Sequence, residues 1–469
     1  MPAWRLVVRA PRSQRVRVWE ADRDPAPTLT TGSVHGVSVA YYWLELCDAA
    51  GNPLTPRPPL YPEEFMKKRI RRKSPKSKVV KPPYRVPSME EIAAVRGTNG
   101  LKMVSTFSGC GGSCLGFEMA GYDVLWASEF VEAARDVYRL NHPGTILDGR
   151  DIRSVKAEDI LAQIGMEPGE LDVFEGSPPC ASFSTAGSRD KGWGQVKTYS
   201  DTKQRADDLF FEYARLLDGL RPKAFVAENV TGLVRGKAFG YFKTILEALQ
   251  QAGPGYRVHA LELDASWLGV PQKRKRIIFV GVRSDLGMNP PAPKPLAYQY
   301  TIADAIPWLL GFKSEGHGFF DGADIDASRQ PAPTLTTTSD GAAYYKHRVE
   351  RDEVLQGALL EGTAIGREYP KLSPGKKSDR YFNLIRPDVH APVPTLTQKA
   401  GITSAAGVCH PSEPRKFSIP ELKRLCAFPD DFQLVGTYSK QWERLARAVP
   451  PVMMRAVAEV LRDEIFAKL

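Results

Sequence analysis

Short apolar runs alternate with helical stretches through the middle of the chain. Strands that are separated by helix-length segments are typical of βαβ units around a parallel sheet, so this pattern predicts an α/β fold. The first helix is expected near Ser88, because Ser88-Met-Glu-Glu91 has the spacing of a capping box. The predicted strands are Met103–Phe107, Val124–Ser128, Leu171–Gly176, Ala224–Glu228 and Ile277–Val282.

The hydrophobic pattern changes several times, and these changes predict the domain division. Alternating residues in Trp4–Val8 and Val34–Leu46 indicate β-strands near the start, and Pro, Lys and Arg then dominate a linker. A helical pattern closes the chain at Val452–Lys468. We predict a β-rich module (1–50), a basic linker (51–87), an α/β domain (88–284), an irregular region (285–411) and a segment that returns to the α/β domain (412–469).

A six-residue motif occurs three times and indicates duplication of a structural unit. Pro-Ala-Pro-Thr-Leu-Thr begins at Pro25 and at Pro331, and Pro-Val-Pro-Thr-Leu-Thr begins at Pro392. Proline before Thr-Leu-Thr favours an extended entry into a short strand.

The positive charge of the protein is concentrated in one segment. The 469 residues carry 64 Lys and Arg against 54 Asp and Glu, and nine of the basic residues lie in residues 67–81, which contain no acid. Such a segment can bind phosphates through counterion release, although it could also be a solvated linker that binds nothing.

Composition also excludes several classes of protein. No apolar run reaches the roughly 18 residues of a membrane span, and the first residues are too polar for a signal peptide, so we expect a cytoplasmic protein with no membrane partner. The six cysteines include no Cys-x-x-Cys pair and the seven histidines form no cluster. Neither a disulfide scaffold nor a metal site is therefore expected.

A glycine-rich turn follows the first predicted strand. Ser108-Gly-Cys-Gly-Gly-Ser-Cys-Leu-Gly116 lies between that strand and a helix, and such turns let a backbone approach a nucleotide-like ligand. The next strand is followed by Glu129-Phe130. An acid at this position can bind ribose hydroxyls and an aromatic ring can stack on adenine.

Three further strand ends carry groups for chemistry. Gly176-Ser-Pro-Pro-Cys180 places a thiol after two stiffening prolines, at the edge of the sheet where ligands of such folds bind. Ala224-Phe-Val-Ala-Glu228 ends in an acid, and Gln272-Lys-Arg274-Lys-Arg276 puts two arginines two residues apart on one strand face. Burying the thiol, the acid and the guanidinium groups together would cost free energy, so their presence at one edge suggests that a substrate uses them.

These motifs, in this order, resemble those of the cytosine-C5 DNA methyltransferases. The resemblance covers residues 101–284 and 386–469, and includes the glycine loop, Pro-Cys, Glu-Asn-Val, Gln-x-Arg-x-Arg, the Pro-Thr-Leu-Thr segment at Pro392 and the final Val-Pro-Pro. It implies a Rossmann-like S-adenosylmethionine-dependent domain and a smaller irregular target-recognition domain within 285–411. It also implies a protein that acts as a monomer on duplex DNA in a prokaryotic or phage nucleoid, in a restriction-modification setting.

The resemblance assigns a role to each motif. Cys180 would add to C6 of a flipped cytosine, Glu228 would hold and protonate N3, and Arg276 with Arg274 would bind O2 and a nearby phosphate. The loop from Ala181 to about Thr202 would close over the DNA. The residues implied in the cofactor pocket are Phe107, Gly109, Gly111, Glu129, Phe130, Asp151, Ile152, Pro179, Leu209, Arg447, Ala448 and Val449.

The final motif departs from the family pattern. It usually reads Gly-Asn-Ala-Val-Pro-Pro, whereas this chain has Ala446-Arg-Ala-Val-Pro-Pro451. Arg447 would then approach a sulfonium of like charge, with a repulsion of roughly 1–4 kcal/mol at about 4 Å. Three explanations are open: Arg447 binds the carboxylate of carboxy-S-adenosylmethionine and the product is 5-carboxymethylcytosine, it binds a DNA phosphate, or it points outward.

Two other functions compete with DNA methylation. The protein could modify cytosine in tRNA, or it could be a catalytically silent DNA-binding regulator, although the retained Cys180, Glu228 and Arg276 argue against the second. The additional motif copies at Pro25 and Pro331 suggest the hypothesis that residues 1–50 pack on, or resemble, part of the target-recognition domain.

Overall fold

The computed structural model describes residues 80–179, 209–234, 238–310, 359–402 and 404–469, together with the backbone of five strands elsewhere. The core is a ten-stranded sheet in the order β2-β1-β3-β11-β13-β10-β7-β4-β5-β6. Strands β6, β5, β4, β7 and β10 are parallel neighbours, and β13 and β11 continue the sheet antiparallel. The carboxyl ends of the parallel strands therefore form one edge, as expected for a ligand-binding α/β fold.

The strands have the following bounds: β1 Ala3–Arg9, β2 Arg17–Glu20, β3 Ala40–Cys47, β4 Lys102–Thr106, β5 Asp123–Ser128, β6 Ile146–Asp148, β7 Val173–Gly176, β8 Val196–Tyr199, β9 Thr202–Arg205, β10 Ala224–Val230, β11 Tyr256–Asp264, β12 Gln272–Lys273, β13 Lys275–Arg283, β14 Lys376–Lys377, β15 Ile385–Arg386 and β16 Val393–Pro394. The described helices are α1 Met89–Val95, α2 Gly112–Met119, α3 Glu132–Asn141, α4 Ala157–Ile164, α5 Leu209–Leu220, α6 Ala238–Gln251, α7 Ile302–Ala305, α8 Ala364–Glu368, α9 Ile419–Leu425, α10 Tyr438–Arg447 and α11 Pro451–Glu464.

Apolar side chains cover both faces of the sheet. One core packs α4, α5 and α6 against it, and the other packs α2 and α11 against the opposite face. Close approach of α2 and α11 requires glycine, because a Cβ at Gly116 would lie 2.5 Å from the Pro451 carbonyl oxygen. The last helix of the chain is thereby fixed against the helix that follows the glycine-rich turn. Among the described residues, no helix has both the length and the apolar character needed to cross a bilayer.

The predicted α/β architecture is confirmed. All five predicted strands are present, with ends shifted by only a few residues, and Ser88 and Glu91 form the predicted capping box. The sequence prediction omitted β6, which has three residues, and β11, which has nine and alternates in burial only over its first half.

The N-terminal strands join the main sheet. β1 pairs with β2 and β3, and β3 pairs antiparallel with β11 through Ala260–Tyr42 to Glu262–Ala40. The hypothesis that residues 1–50 pack on, or resemble, part of the target-recognition domain gains no support from this pairing, since β11 belongs to the main ten-stranded sheet. The division of the chain into five parts stays a prediction, and the motif copies at Pro25 and Pro331 lie outside the described residues.

The region from 359 to 411 has a small core of its own. Leu360, Ile365, Tyr369, Leu372 and Leu384 pack around the buried Cys409. Its regular structure is limited to short elements, which agrees with the irregular pattern of the sequence.

Candidate functional site

The glycine-rich turn connects β4 to α2 through backbone conformations that side chains rarely adopt. Gly109 and Gly111 have φ values of +57° and +91°, and Phe107 has +54°. A Cβ on Gly111 would lie 2.0 Å from Nε2 of the buried His142, and a Cβ on Gly112 would lie 2.4 Å from the Val449 carbonyl oxygen. The turn is therefore packed against the final Val-Pro-Pro motif, as the predicted pocket requires.

Glu129 fastens this turn to the end of β5. Its carboxylate accepts hydrogen bonds from the backbone N–H groups of Gly109 at 2.8 Å and Val131 at 2.7 Å. Burial raises the pKa of Glu129, and these two hydrogen bonds oppose the rise. A carboxylate has about four acceptor sites, so Glu129 retains capacity for ribose hydroxyls.

The other predicted cofactor residues lie around the same edge with different exposures. Ile152 and Leu209 are buried in the core that contains α5, whereas Phe130 and Pro179 are partly exposed. Asp151 caps the turn that follows it by accepting a hydrogen bond from the Arg153 backbone N–H. Ile152 and Leu209 can therefore form apolar walls, while Asp151 has a structural function in the free protein.

The base of the predicted nucleophile loop is held between two strands. The Ser177 backbone N–H donates to the Thr106 carbonyl, and the Asn229 side-chain amide donates to the Pro178 carbonyl at 3.1 Å. Cys180 and residues 181–195 lie outside the described residues. Strand β8 lies within the loop that was predicted to close over DNA, and its backbone pairs antiparallel with β9, which begins at Thr202 where that loop ends.

Glu228 and Arg276 meet beside this loop. Arg276 Nε lies 2.6 Å from Glu228 Oε1, and both side chains are largely buried. The pairing follows from register, because Arg276 at the start of β13 lies opposite Val230 at the end of β10. The structure thus places together the acid and one of the arginines that the sequence pattern selected.

Arg274 has different partners from Arg276. It lies between β12 and β13, and its guanidinium donates to the carbonyl oxygens of Ala446 at 2.8 Å and Arg447 at 3.1 Å. Burial and the charge of Arg276 lower the pKa of Arg274 to about 9, so it stays cationic at neutral pH. In the free protein Arg274 holds the carboxyl end of α10, and its predicted contact with the base or a phosphate stays a prediction.

Arg447 already has an anionic partner. Its Nε lies 3.1 Å from Glu443 Oε1 one helical turn earlier, and its guanidinium donates to Gln398 Oε1 at 2.7 Å. Gln398 follows the third motif copy, whose Thr395 hydroxyl donates to the Lys273 carbonyl. This copy therefore connects β12 to α10, while Ala448 and Val449 lie against Gly112.

The described cysteines are unsuited to nucleophilic chemistry. Cys110, Cys114, Cys409 and Cys426 are buried free thiols. Burial raises the pKa of each, to about 12 for Cys110 and about 11 for Cys426. Because the thiolate is the reactive form, these side chains are inert near neutral pH.

Comparison with known proteins identifies the family. A family model described as C-5 cytosine-specific DNA methylase matches residues 101–463, which is most of the chain. The chain belongs to this family. The Type II methyltransferase M.NgoPII of Neisseria gonorrhoeae is 37% identical to this methylase over 369 residues, which cover 78% of the chain and 96% of that protein.

More distant relatives agree with this assignment. The Type II methyltransferase M.DdeI of Desulfomicrobium norvegicum is 27% identical over 386 residues, which cover 76% of this methylase and 88% of that protein. A crystal structure described as a DNA modification methyltransferase encoded within a prophage (E. coli) has a similar fold, with a TM-score of 0.54 at 23% identity. The structural match covers 77% of this chain and 99% of the chain in that crystal structure.

The family resemblance inferred from the motifs is confirmed, and with it the cofactor class, S-adenosylmethionine. No cluster of three or more His, Cys, Asp or Glu suited to a metal ion occurs in the part of the methylase that the structure describes. The sequence analysis included Asn229 in the Glu-Asn-Val motif but assigned it no role, and it did not single out the buried Glu175. The signal for Glu175 was a single acid within an apolar strand end, Val173-Phe-Glu-Gly176.

Proposed function

We propose that this methylase transfers a methyl group to C5 of a flipped cytosine in duplex DNA through a covalent bond between Cys180 and C6. The observation that supports it most directly is the Glu228–Arg276 pair, which lies beside the Pro-Pro loop that leads into Cys180. Cytosine N3 and O2 both accept hydrogen bonds, so a protonated Glu228 and the Arg276 guanidinium can each donate to one of them.

The chemistry requires the thiol because C5 of cytosine is a poor nucleophile. Addition of the Cys180 thiolate to C6, with transfer of a proton from Glu228 to N3, makes C5 an enamine carbon. Arg276 binds O2 and keeps the ring oriented. Once C5 carries the methyl group, a base such as water removes the C5 proton, the electron pair restores the C5–C6 double bond and expels the Cys180 thiolate, and N3 returns its proton to Glu228.

The pocket formed by the glycine-rich turn fits S-adenosylmethionine. The turn leaves no room for a side chain at Gly111, Glu129 offers acceptor sites for ribose, and Phe130 and Ile152 supply apolar surface for adenine. S-adenosylmethionine supplies an electrophilic methyl group when bound. The residues proposed to hold it are Phe107, Gly109, Gly111, Glu129, Phe130, Asp151, Ile152, Pro179, Leu209, Ala448 and Val449.

A basic, aromatic hairpin is the proposed DNA contact of the target-recognition region. Phe382 is 77% exposed at its tip, and Lys377 Nζ lies 4.1 Å from the centre of its ring. The Ser378 hydroxyl accepts hydrogen bonds from the backbone N–H groups of Arg380 and Tyr381, which fixes the turn. Cations and an exposed ring on a rigid turn suit a phosphate backbone with an unstacked or kinked base step.

The cytosine must leave the duplex to react, at a cost of a few kcal/mol. The segment 181–202 is proposed to close over the DNA and stabilise that state, with one protein molecule on each site. Methyl is the expected group, because Glu443 already neutralises Arg447 and no carboxylated cofactor is needed to do so. A carboxymethyl product and a tRNA substrate remain as alternatives for the assays below.

A mechanism-based trap tests the proposal. Duplex DNA with 5-fluorocytosine at the methylated site should form a covalent adduct with the parent protein and S-adenosylmethionine, and Cys180→Ala should form none. Nucleoside mass spectrometry after incubation with S-adenosylmethionine, and separately with carboxy-S-adenosylmethionine, identifies the group transferred. Matched duplex DNA and tRNA substrates identify the nucleic acid. An adduct in Cys180→Ala, or none in the parent while it methylates DNA, would contradict the assigned nucleophile.

A further inference from the structure

Glu175 is a buried acid that the proposed mechanism does not use. It lies on β7, in register with Ser105 on β4, and is only 1% exposed. Ser105 Oγ donates to Glu175 Oε2 at 2.6 Å and lies 2.8 Å from the Ser108 hydroxyl in the glycine-rich turn. The carboxyl group is therefore located directly beneath the predicted cofactor turn.

The described surroundings of Glu175 contain no counter-charge. Besides burial, the groups with the largest effect on its pKa are the hydroxyls of Ser105, Ser113 and Ser177 and the carboxyl group of Glu228. No ion pair between Glu175 and a Lys, Arg or His is found within the described ranges of the chain. Burying a carboxylate without a neighbouring cation costs free energy. Such a group in a ligand-binding region therefore indicates that a cationic ligand binds nearby.

We infer that Glu175 is a buried counter-charge that makes the cofactor pocket prefer cationic S-adenosylmethionine over the neutral thioether S-adenosylhomocysteine. The inference rests on the proposed function, since it requires S-adenosylmethionine to bind at the glycine-rich turn. The two ligands share the adenosine, the ammonium and the carboxylate and differ by one methyl group and one positive charge. A carboxylate beneath the turn stabilises only the additional charge, so it favours entry of the cofactor and release of the product.

The charge of Glu175 changes near neutral pH. Burial raises its pKa to about 7, with a contribution from Glu228. The other described titratable groups that interact with Glu175 are Cys114 on α2 and Tyr213 on α5. Burial raises the pKa of both, so they stay neutral between pH 6 and 8. The preference for the cationic ligand is therefore expected to increase from pH 6 to 8.

Calorimetric titration of the full-length protein with each ligand tests the inference. Glu175→Gln keeps the shape and the hydrogen bond with Ser105 but removes the charge. At pH 8 we expect the affinity for S-adenosylmethionine to fall about tenfold and that for S-adenosylhomocysteine to change less than twofold. The pH dependence of the affinity ratio should also disappear in this variant.

Glu262→Gln is the matched control. It removes another buried carboxyl from β11, three strands away from β7, where Glu262 pairs with Lys275, and it should leave the ratio unchanged. Equal losses for both ligands in Glu175→Gln, or an unchanged ratio, would overturn the inference while the proposed function stands. Failure of the parent protein to bind S-adenosylmethionine would instead overturn both.

Discussion

The conformation of the glycine-rich turn depends on the absence of a Cβ atom at Gly111. Because that atom would overlap His142 Nε2 and the φ value is +91°, Gly111→Ala should displace the turn. We expect at least a tenfold loss of S-adenosylmethionine affinity, measured by calorimetry. Gly109→Ala is the comparison: its φ is +57°, but its Cβ would meet nothing within 4 Å, so only backbone strain of about 1–2 kcal/mol applies. Equal effects of the two changes would contradict the steric explanation.

The raised pKa of Glu175 also predicts how stability depends on pH. The folded protein retains a proton on Glu175 up to about pH 7, whereas the unfolded chain releases it near pH 4.5. Since the folded state binds more protons between these values, this group lowers the free energy of unfolding as pH rises, by roughly 3 kcal/mol in total.

Denaturant unfolding without ligand, at pH 5 and pH 8, measures this effect. The amide of the Glu175→Gln variant does not ionise. Between pH 5 and pH 8 the free energy of unfolding of this variant should therefore rise relative to that of the parent. A difference between the two proteins that is constant with pH would show that Glu175 does not titrate in this range.

Some site residues could be predicted from the sequence and others could not. Glu228 and Arg276 belong to short motifs at strand ends, so their types and order were sufficient to select them. The role of Arg274 depends on its contact with the carboxyl end of α10, and the surroundings of Glu175 depend on which residue of β4 lies beside it in the sheet. Local sequence carries no information on such pairings, so these environments appear only in the folded chain.

At the scale of elements, the strands with continuous apolar character were predictable because parallel strands are buried on both faces. The attachment of β3 to β11 was not predictable, because β3 pairs with a strand more than 200 residues away and nothing in either strand specifies that partner. The same limit applies to β16, which pairs with β12 and thereby locates the third motif copy.

The β14–β15 hairpin gives a prediction about DNA binding. Stacking of an aromatic ring on a base contributes about 1–3 kcal/mol, so Phe382→Ala should weaken DNA binding by about fivefold or more without changing its salt dependence. Lys377→Gln should instead reduce the slope of log K against log salt by about one. Fluorescence anisotropy at several salt concentrations measures both.

Val435→Ala provides a control for this prediction, since Val435 is also an exposed apolar residue, at 42%, but lies in the segment before α10. It should bind DNA as the parent does. If Phe382→Ala matches Val435→Ala, the hairpin tip does not contact the DNA.

At the scale of the whole molecule, three distant parts of the chain converge on the cofactor edge. The final motif contacts the glycine-rich turn through Val449 and Gly112, and Arg274 holds the carbonyl groups of the first two residues of that motif. The C-terminal segment therefore packs against the glycine-rich turn, while the division of the chain at residues 285 and 411 stays a prediction.

The basic segment 67–81 should contribute to DNA affinity, and its contribution should decrease as the salt concentration rises. Its last cation, Lys81, forms an ion pair with Asp304 at 2.6 Å, and Tyr84 donates to the Arg424 carbonyl oxygen, so the end of the segment at Lys81 is held against the folded domain. Eight further Lys and Arg lie between 67 and 78.

Each phosphate contact contributes about 0.9 to the slope of log K against log salt, so replacing all eight with Gln should reduce that slope by up to about 7. Anisotropy titrations between 50 and 300 mM salt measure it, with Lys81 retained so that the anchor is unchanged. An unchanged slope would identify the segment as a solvated linker, whereas a reduced slope with unchanged S-adenosylmethionine affinity would show that it adds sequence-independent attraction to DNA.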